Sequence, residues 1–197
     1  MDKKQAHQEL AFIQKFMVDS QRALIHNGVF LILLSLFSVL AVALKLFKDF
    51  MGLHFNSLYL YIPLIAAGFL FSLFARARLY SKMGGRTYAA RVVDGVWTAF
   101  LISVFILTIV GSASGGMPPL SVAPVISVLF GISQLICGLL LNSRLITVPA
   151  YGWWIASVCM FIWPGERSVV WLGILVVLFQ LIPGIFLFFN WKKRNHA

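Results

Sequence analysis

The chain has 197 residues, of which 60% are hydrophobic, 15% aromatic and only 11% charged. A soluble domain averages roughly 45–50% apolar and about 25% charged residues, so this composition excludes an ordinary soluble domain. The formal net charge of +10 would suggest nucleic acid as the partner of a soluble chain, but in a membrane protein the position of each cation decides its meaning.

The first 27 residues precede the first long apolar run and show a helical pattern. Apolar residues recur at intervals of three, four and seven from Leu10 to Leu24, and charged residues fall on the opposite face. This pattern predicts an amphipathic cytoplasmic helix over residues 1–27. The helix either lies along the membrane surface or packs against the cytoplasmic ends of the bundle, and a third interpretation makes it a docking helix for a partner protein.

The rest of the chain consists mainly of apolar runs. A membrane-spanning helix needs about 20 mostly apolar residues, because the hydrocarbon core is about 30 Å thick and each helical residue rises about 1.5 Å. Trp153, Trp154 and Trp163 bracket the shortest run as interfacial aromatics do. We therefore expect an all-α polytopic membrane protein, a bundle of six transmembrane helices followed by a basic cytoplasmic tail at residues 192–197. The predicted spans are residues 28–47, 58–75, 95–111, 120–141, 148–163 and 169–191.

Lys and Arg residues are distributed unevenly around these six spans. All 16 of them except Lys45, Lys48 and Arg167 fall in the two termini or in the second and fourth connections. These segments share one side of the membrane when the number of spans is even, so the positive-inside rule predicts that both termini are cytoplasmic.

The second connection is the most basic segment of the chain. Membrane topology accounts for its cations, and a further interpretation is a surface for anionic lipid headgroups, at roughly 1 kcal/mol per cation, or for an acidic partner protein. We do not expect nucleic acid as a partner, because no aromatic residues are interleaved there at a regular spacing. The five cations are Arg76, Arg78, Lys82, Arg86 and Arg91.

Chemically reactive residues are scarce in the predicted bilayer region. The middle thirds of the six spans contain no charged residue, and Asp94 and Glu166, near span ends, are each interpreted as a helix-start acid or a member of a local ion pair. The four His and two Cys residues do not have the spacing of metal or haem ligands, and no catalytic motif is found. We therefore expect neither an enzyme nor a cofactor.

Uncharged polar side chains do occur within the apolar runs. Such groups usually form hydrogen bonds to a neighbouring helix and stabilise packing by up to about 1–2 kcal/mol. The functional alternative is that Gln134 and Gln180 face one cavity and orient a ligand, with Pro183 opening the backbone beside it. The candidate membrane-embedded polar contacts are Ser133, Gln134, Asn142 and Gln180.

Three segments, SQRALIHNG, LLLNSRLITVP and WPGERSVVWLGILVVLFQLIPGIFLF, carry a resemblance. In them the chain resembles an uncharacterised family of small bacterial six-span inner-membrane proteins, which implies the same topology and location in the bacterial inner membrane. Members of that family often have a His followed four residues later by Gly in the last span, where this chain has Gln180 and Gly184. A role that requires a titrating imidazole is therefore not expected.

Two functional hypotheses follow from the sequence. The first is a non-catalytic membrane protein that acts as a partner-binding, sensing or regulatory component through its N-terminal helix and basic connection. The second is a carrier or binder of a lipid or another apolar small molecule, with Gln134 and Gln180 as the polar contact. The expected partners are membrane lipids and, under the first hypothesis, a membrane or cytoplasmic protein.

Overall fold

A computed structural model describes residues 3–53, 87–165 and 167–195, together with eight residues between 64 and 78. Within this described part of the chain every regular element is a helix. Two π-helical segments, Ile106–Gly111 and Val177–Leu181, extend α2 and join α5 to α6, respectively. The α-helices are α1 (Lys3–Phe50), α2 (Tyr88–Phe105), α3 (Pro119–Leu140), α4 (Arg144–Ile162), α5 (Ser168–Val176) and α6 (Ile182–Asn195).

Five of the described helical stretches are long and apolar enough to cross a membrane. They correspond to five of the six predicted spans, and they confirm an all-helical protein with several membrane-compatible helices. The remaining predicted span, residues 58–75, lies largely outside the described residues. The five stretches are Asn27–Phe50, Tyr88–Gly111, Leu120–Leu140, Arg144–Ile162 and Ser168–Phe189.

The described residues between 64 and 78 are helical and contact α1. The rings of Phe71 and Phe37 lie 5.9 Å apart between centroids. A Cβ atom added at Gly68 would lie 3.3 Å from the Phe37 ring, so the backbone at Gly68 also passes close to α1.

Helix α1 is continuous from Lys3 to Phe50, so the predicted N-terminal helix and the first predicted span form one element. It ends in a turn with Gly52 at a φ of 63°, in which the Leu53 N–H donates to the Lys48 carbonyl at 3.1 Å. A helix that crosses a bilayer cannot also lie in its plane without a break. The continuity of α1 therefore gives no support to the prediction that residues 1–27 lie along the membrane surface.

Helices α3 and α4 form a tight antiparallel hairpin. Asn142 has a φ of 48°, and the Ser143 N–H donates to the Gly138 carbonyl at 2.9 Å, which closes the end of α3 in a left-handed cap. Because the turn is this short, α4 already begins at Arg144, and Pro149 lies inside it. The predicted start of this span, residue 148, is therefore later than the start of the helix.

Glycine allows the two hairpin helices to approach each other closely. A Cβ atom at Gly138 would lie 2.7 Å from the backbone nitrogen of Thr147 in α4, and one at Gly131 would collide with the Trp154 indole. Real Cβ atoms do not come this near to backbone atoms, so the hairpin geometry requires Gly at position 138.

The last span packs antiparallel to α1 through small residues as well. A Cβ atom at Gly184 would lie 3.1 Å from the Gly28 carbonyl oxygen, and one at Gly173 would lie 3.0 Å from the Val42 side chain. Later positions in α1 therefore face earlier positions in the last span. Gln180, one turn before Gly184, lies on the side of the last span that faces α1.

Polar and apolar side chains are distributed differently from those of a soluble protein. Large apolar side chains such as Leu139, Ile155 and Phe186 are exposed on the outer surface, while several polar side chains are buried in the interior. An apolar exterior is what a lipid environment requires, and interhelical polar groups are typical of membrane bundles. The buried polar and charged residues are Asn27, Ser35, Asp94, Thr108, Ser127, Ser133, Gln134, Ser157, Ser168 and Gln180.

The hairpin contact yields a first prediction, in which Gly138→Ala is compared with Gly95→Ala. A Cβ atom at Gly95 has nothing within 4 Å, and Gly95 is helical and exposed, so it serves as the matched control. We expect Gly138→Ala to lower the free energy of unfolding by about 1–3 kcal/mol, because α3 and α4 must separate. Gly95→Ala should leave it unchanged or raise it by up to about 1 kcal/mol. Unfolding curves in detergent micelles measure both changes, and equal effects would contradict the assigned contact.

Candidate functional site

A continuous row of aromatic rings crosses the interior and includes at least one ring from each of the five described spans. Successive ring centroids lie between 4.4 and 6.0 Å apart. Such pairs contribute about 0.5–1.5 kcal/mol each beyond the area they bury. The row consists of Phe30 of α1, Trp97 and Phe100 of α2, Phe130 of α3, Trp153 of α4 and Phe179 of the second π-helical segment.

At one end of this row, α1 and α2 are joined by a buried hydrogen bond. The Trp97 Nε1–H donates to Asn27 Oδ1 at 2.7 Å. Asp94, three residues before Trp97, is also buried, although it lies in the second turn of α2. The sequence predicts a helix-start acid or a local ion pair at this position; the first does not fit, because α2 begins six residues earlier, at Tyr88, where Thr87 caps the helix by accepting from the Ala90 N–H.

At the other end, α3 is bonded to the backbone of the last span. The Gln134 Nε2–H donates to the Phe179 carbonyl at 2.9 Å. In an α-helix this carbonyl would accept from the N–H four residues later, but that residue is Pro183, which has none. The side chain of Gln134 thus supplies a donor to a carbonyl that lacks its α-helical partner.

Several buried polar atoms around Phe179 have no hydrogen-bond partner in the described part of the chain. They are Gln134 Oε1, Trp153 Nε1 and both polar side-chain atoms of Gln180. Gln134 is 1% exposed, and Trp153 and Gln180 are 0% exposed. We call Gln134, Trp153, Phe179 and Gln180 the Phe179 cluster.

Phe179 is connected to each of the other three residues. Its carbonyl accepts from Gln134, its ring lies 6.0 Å from the Trp153 ring between centroids, and Gln180 follows it in the chain. A buried polar group left unpaired costs about 1–3 kcal/mol. The cluster therefore has buried donors and acceptors that a bound molecule would pair with.

Among the four polar residues singled out from the sequence, Gln134 and Gln180 are both buried with unpaired side-chain atoms, and Gln134 bonds the carbonyl of Phe179, the residue before Gln180. Ser133 is buried beside Gln134 in α3. Asn142 is not part of this group, because it is exposed in the turn between α3 and α4. Its left-handed backbone conformation, which Asn tolerates better than most residues, gives it a structural role in closing α3.

The cations of the second connection are described only in part. The guanidinium carbon of Arg78 lies 5.2 Å above the Phe74 ring, and Arg91 is exposed in the first turn of α2. Arg76, Lys82 and Arg86 lie outside the described residues. A shared cationic surface thus stays a prediction.

Two functional features were not found from the sequence. Trp153 was interpreted as an interfacial aromatic, but this is wrong, because its side chain is fully buried and its ring stacks on Phe130 at 4.6 Å between centroids. The Phe179 carbonyl was also missed, although the position of Pro183 four residues later is a signal that could have found it.

No protein-family model, curated protein or solved structure matches the chain. The fold itself defines the class, an α-helical protein with several helices of the length and apolar composition of membrane-embedded elements. A more specific function therefore has to be inferred from the geometry of the Phe179 cluster.

The bond between α3 and the last span yields a second prediction. Gln134→Met should lower the free energy of unfolding by about 1 kcal/mol, because the Phe179 carbonyl loses its side-chain donor. Pro183→Ala restores an N–H four residues after Phe179. In a Pro183→Ala background we therefore expect Gln134→Met to cost clearly less. A double-mutant cycle in micelles measures this coupling, and strictly additive effects would show that the two residues do not serve the same carbonyl.

Proposed function

We propose that the protein binds a lipid-like small molecule within the membrane, and that the Phe179 cluster pairs with the polar group of this ligand. The observation that carries the proposal is Gln180, which is completely buried while both polar atoms of its side chain lack partners. A bilayer-dissolved molecule with one polar group supplies such partners and fits an otherwise apolar interior.

A purely structural role explains these residues less well. Interhelical hydrogen bonding accounts for the Nε2 atom of Gln134, which donates to the Phe179 carbonyl. It does not account for the Oε1 atom of Gln134 or for either polar atom of Gln180. An apolar residue of similar size at position 180 would pack without the desolvation penalty, so the amide is better explained by a ligand.

Access to the cluster requires the last span to move, because its polar side chains are not exposed. The π-helical segment Val177–Leu181 contains Phe179 and Gln180, and Pro183 removes a backbone donor just beyond it. Short π-helical segments are frequent at functional sites, and proline weakens the helix locally. The part of the last span that is easiest to deform is thus the part that holds the cluster.

The cluster supports binding rather than catalysis. Two amides, an indole and a phenyl ring do not transfer protons or act as nucleophiles at neutral pH. A carrier or binder is the function that such neutral groups perform. The alternative of a partner-binding or regulatory component stays a prediction, because three of the five cations on which it depends lie outside the described residues.

We further propose six spans in a bacterial inner membrane, with both termini in the cytoplasm. The uneven distribution of Lys and Arg supports this topology, and the resemblance to small bacterial six-span proteins supports the location. The third prediction follows directly. Reporter proteins fused after Gly84 and after the C-terminal residue should both report the cytoplasmic side, whereas a fusion after Gly115 should report the periplasm. Opposite sides for the first two fusions would require an odd number of spans between them and would contradict the topology.

Ligand binding gives the fourth prediction. Protein purified from its native membrane in mild detergent should retain one small molecule in native mass spectra, and Gln180→Met should lose it. Ser127→Ala is the matched control, because Ser127 is equally buried but bonds only to the Ala123 carbonyl of its own helix, at 3.1 Å. Loss of the molecule in both variants, or its absence from the wild-type protein, would count against the proposal.

The same variants separate a binding role from a structural role by their stability. In ligand-free protein, Gln180→Met should raise the free energy of unfolding by about 1–2 kcal/mol, because an unpaired buried amide is replaced by an apolar group of similar length. A loss of stability would show that Gln180 forms interhelical bonds, which is the structural alternative.

A further inference from the structure

We infer that the polar group of the ligand is uncharged and both donates and accepts hydrogen bonds, as a hydroxyl or a carboxamide does. This inference rests on the proposed function and names the ligand class of the same cluster. A long-chain alcohol or a fatty amide belongs to this class, whereas a free fatty acid at neutral pH and an anionic phospholipid do not.

The cluster contains both hydrogen-bond donors and hydrogen-bond acceptors without partners. The free donors of the cluster are Gln180 Nε2 and Trp153 Nε1, and the free acceptors are Gln134 Oε1 and Gln180 Oε1. An ester or an ether only accepts hydrogen bonds and would leave the two acceptors unpaired. An ammonium group only donates and would leave the indole N–H unpaired. A hydroxyl or a carboxamide carries both functions and is able to pair with both kinds of atom.

The absence of charged side chains in the cluster favours a neutral ligand. The four residues of the cluster are uncharged, and so are Phe130, whose ring stacks on Trp153, and Gly152, which faces the Phe179 ring. A carboxylate or phosphate placed among them would be buried without a counter-charge. Burying an unpaired charge is far more costly than burying a hydrogen-bonded neutral group, so the cluster discriminates against ionised headgroups.

Two contacts fix the position of Phe179, one to its ring and one to its carbonyl. Gly152 leaves no side chain between α4 and the Phe179 ring, since a Cβ atom there would lie 2.6 Å from that ring. The Phe179 ring is thereby held against α4, while its carbonyl is held by Gln134 of α3. Gln180 follows Phe179 directly, so these contacts fix its backbone, and its buried amide keeps one donor and one acceptor that select a ligand by its hydrogen-bonding pattern.

The test uses four probes that share one hydrocarbon chain, namely hexadecanol, hexadecanamide, methyl hexadecanoate and hexadecanoate. The full-length protein is placed in nanodiscs of neutral phospholipid, and binding of each labelled probe is measured at about pH 10, where the acid is ionised even though the low dielectric of the bilayer raises its pKa. We expect hexadecanol and hexadecanamide to bind at least about tenfold more tightly than hexadecanoate and methyl hexadecanoate. Gln180→Met should reduce binding of the alcohol and the amide to the level of the ester, and Ser127→Ala should not.

The outcomes distinguish this inference from the function on which it rests. If hexadecanoate or the methyl ester binds as tightly as the alcohol and this binding is lost in Gln180→Met, the headgroup inference is overturned but the proposed function stands. If none of the four probes binds and no molecule is retained from the native membrane, both are overturned. Equal binding of the alcohol to wild-type protein and to Gln180→Met would show that the Phe179 cluster is not the site.

Discussion

A backbone carbonyl inside a bilayer has no water to pair with, so every such group must find its partner within the protein. In the last span this requirement meets Pro183, which cannot donate to the Phe179 carbonyl. The donor comes from Gln134 of α3, at 2.9 Å. This bond joins two spans at the level where the Phe179 ring also contacts Trp153 of α4. Because Gln180 is the next residue in the chain, these contacts also fix the position of its backbone.

Close packing around this bond explains why the unpaired amides are buried. Gly184 brings the last span within contact of α1 on the side where Gln180 lies, and Gly138 brings α4 against α3. Aromatic rings fill the interior between them, from Phe30 to Phe179. With small residues at the helix crossings and large rings in the centre, the side chains of Gln134 and Gln180 are almost fully buried. At such low dielectric an unpaired donor or acceptor costs more free energy than it would near water.

Composition and periodicity were sufficient to predict an all-helical protein with long apolar helices, because hydrocarbon thickness imposes a helix length that is visible in the sequence. They did not predict the turn at Asn142, which takes only the three residues 141–143 and lets α4 begin at Arg144, because apolar periodicity carries no information on a left-handed backbone conformation. They identified Gln134 and Gln180 as polar residues in apolar runs. They did not identify their neighbours, since the burial of Trp153 depends on contacts with residues far away in the chain.

The buried polar residues divide into two groups by the length of their side chains. Short hydroxyl side chains donate to backbone carbonyls, mostly on the preceding turn of their own helix, as Ser35 does with Leu31 and Thr108 with Val104, and in the case of Ser157 on another helix, at Pro124. The amides and the Trp153 indole have no such local solution. Of the five buried side-chain atoms without a partner in the described residues, four belong to the Phe179 cluster and the fifth is Asn27 Nδ2. Gln180 alone contributes two of the five, and it lies in the π-helical segment Val177–Leu181, a kind of segment that is frequent at functional sites.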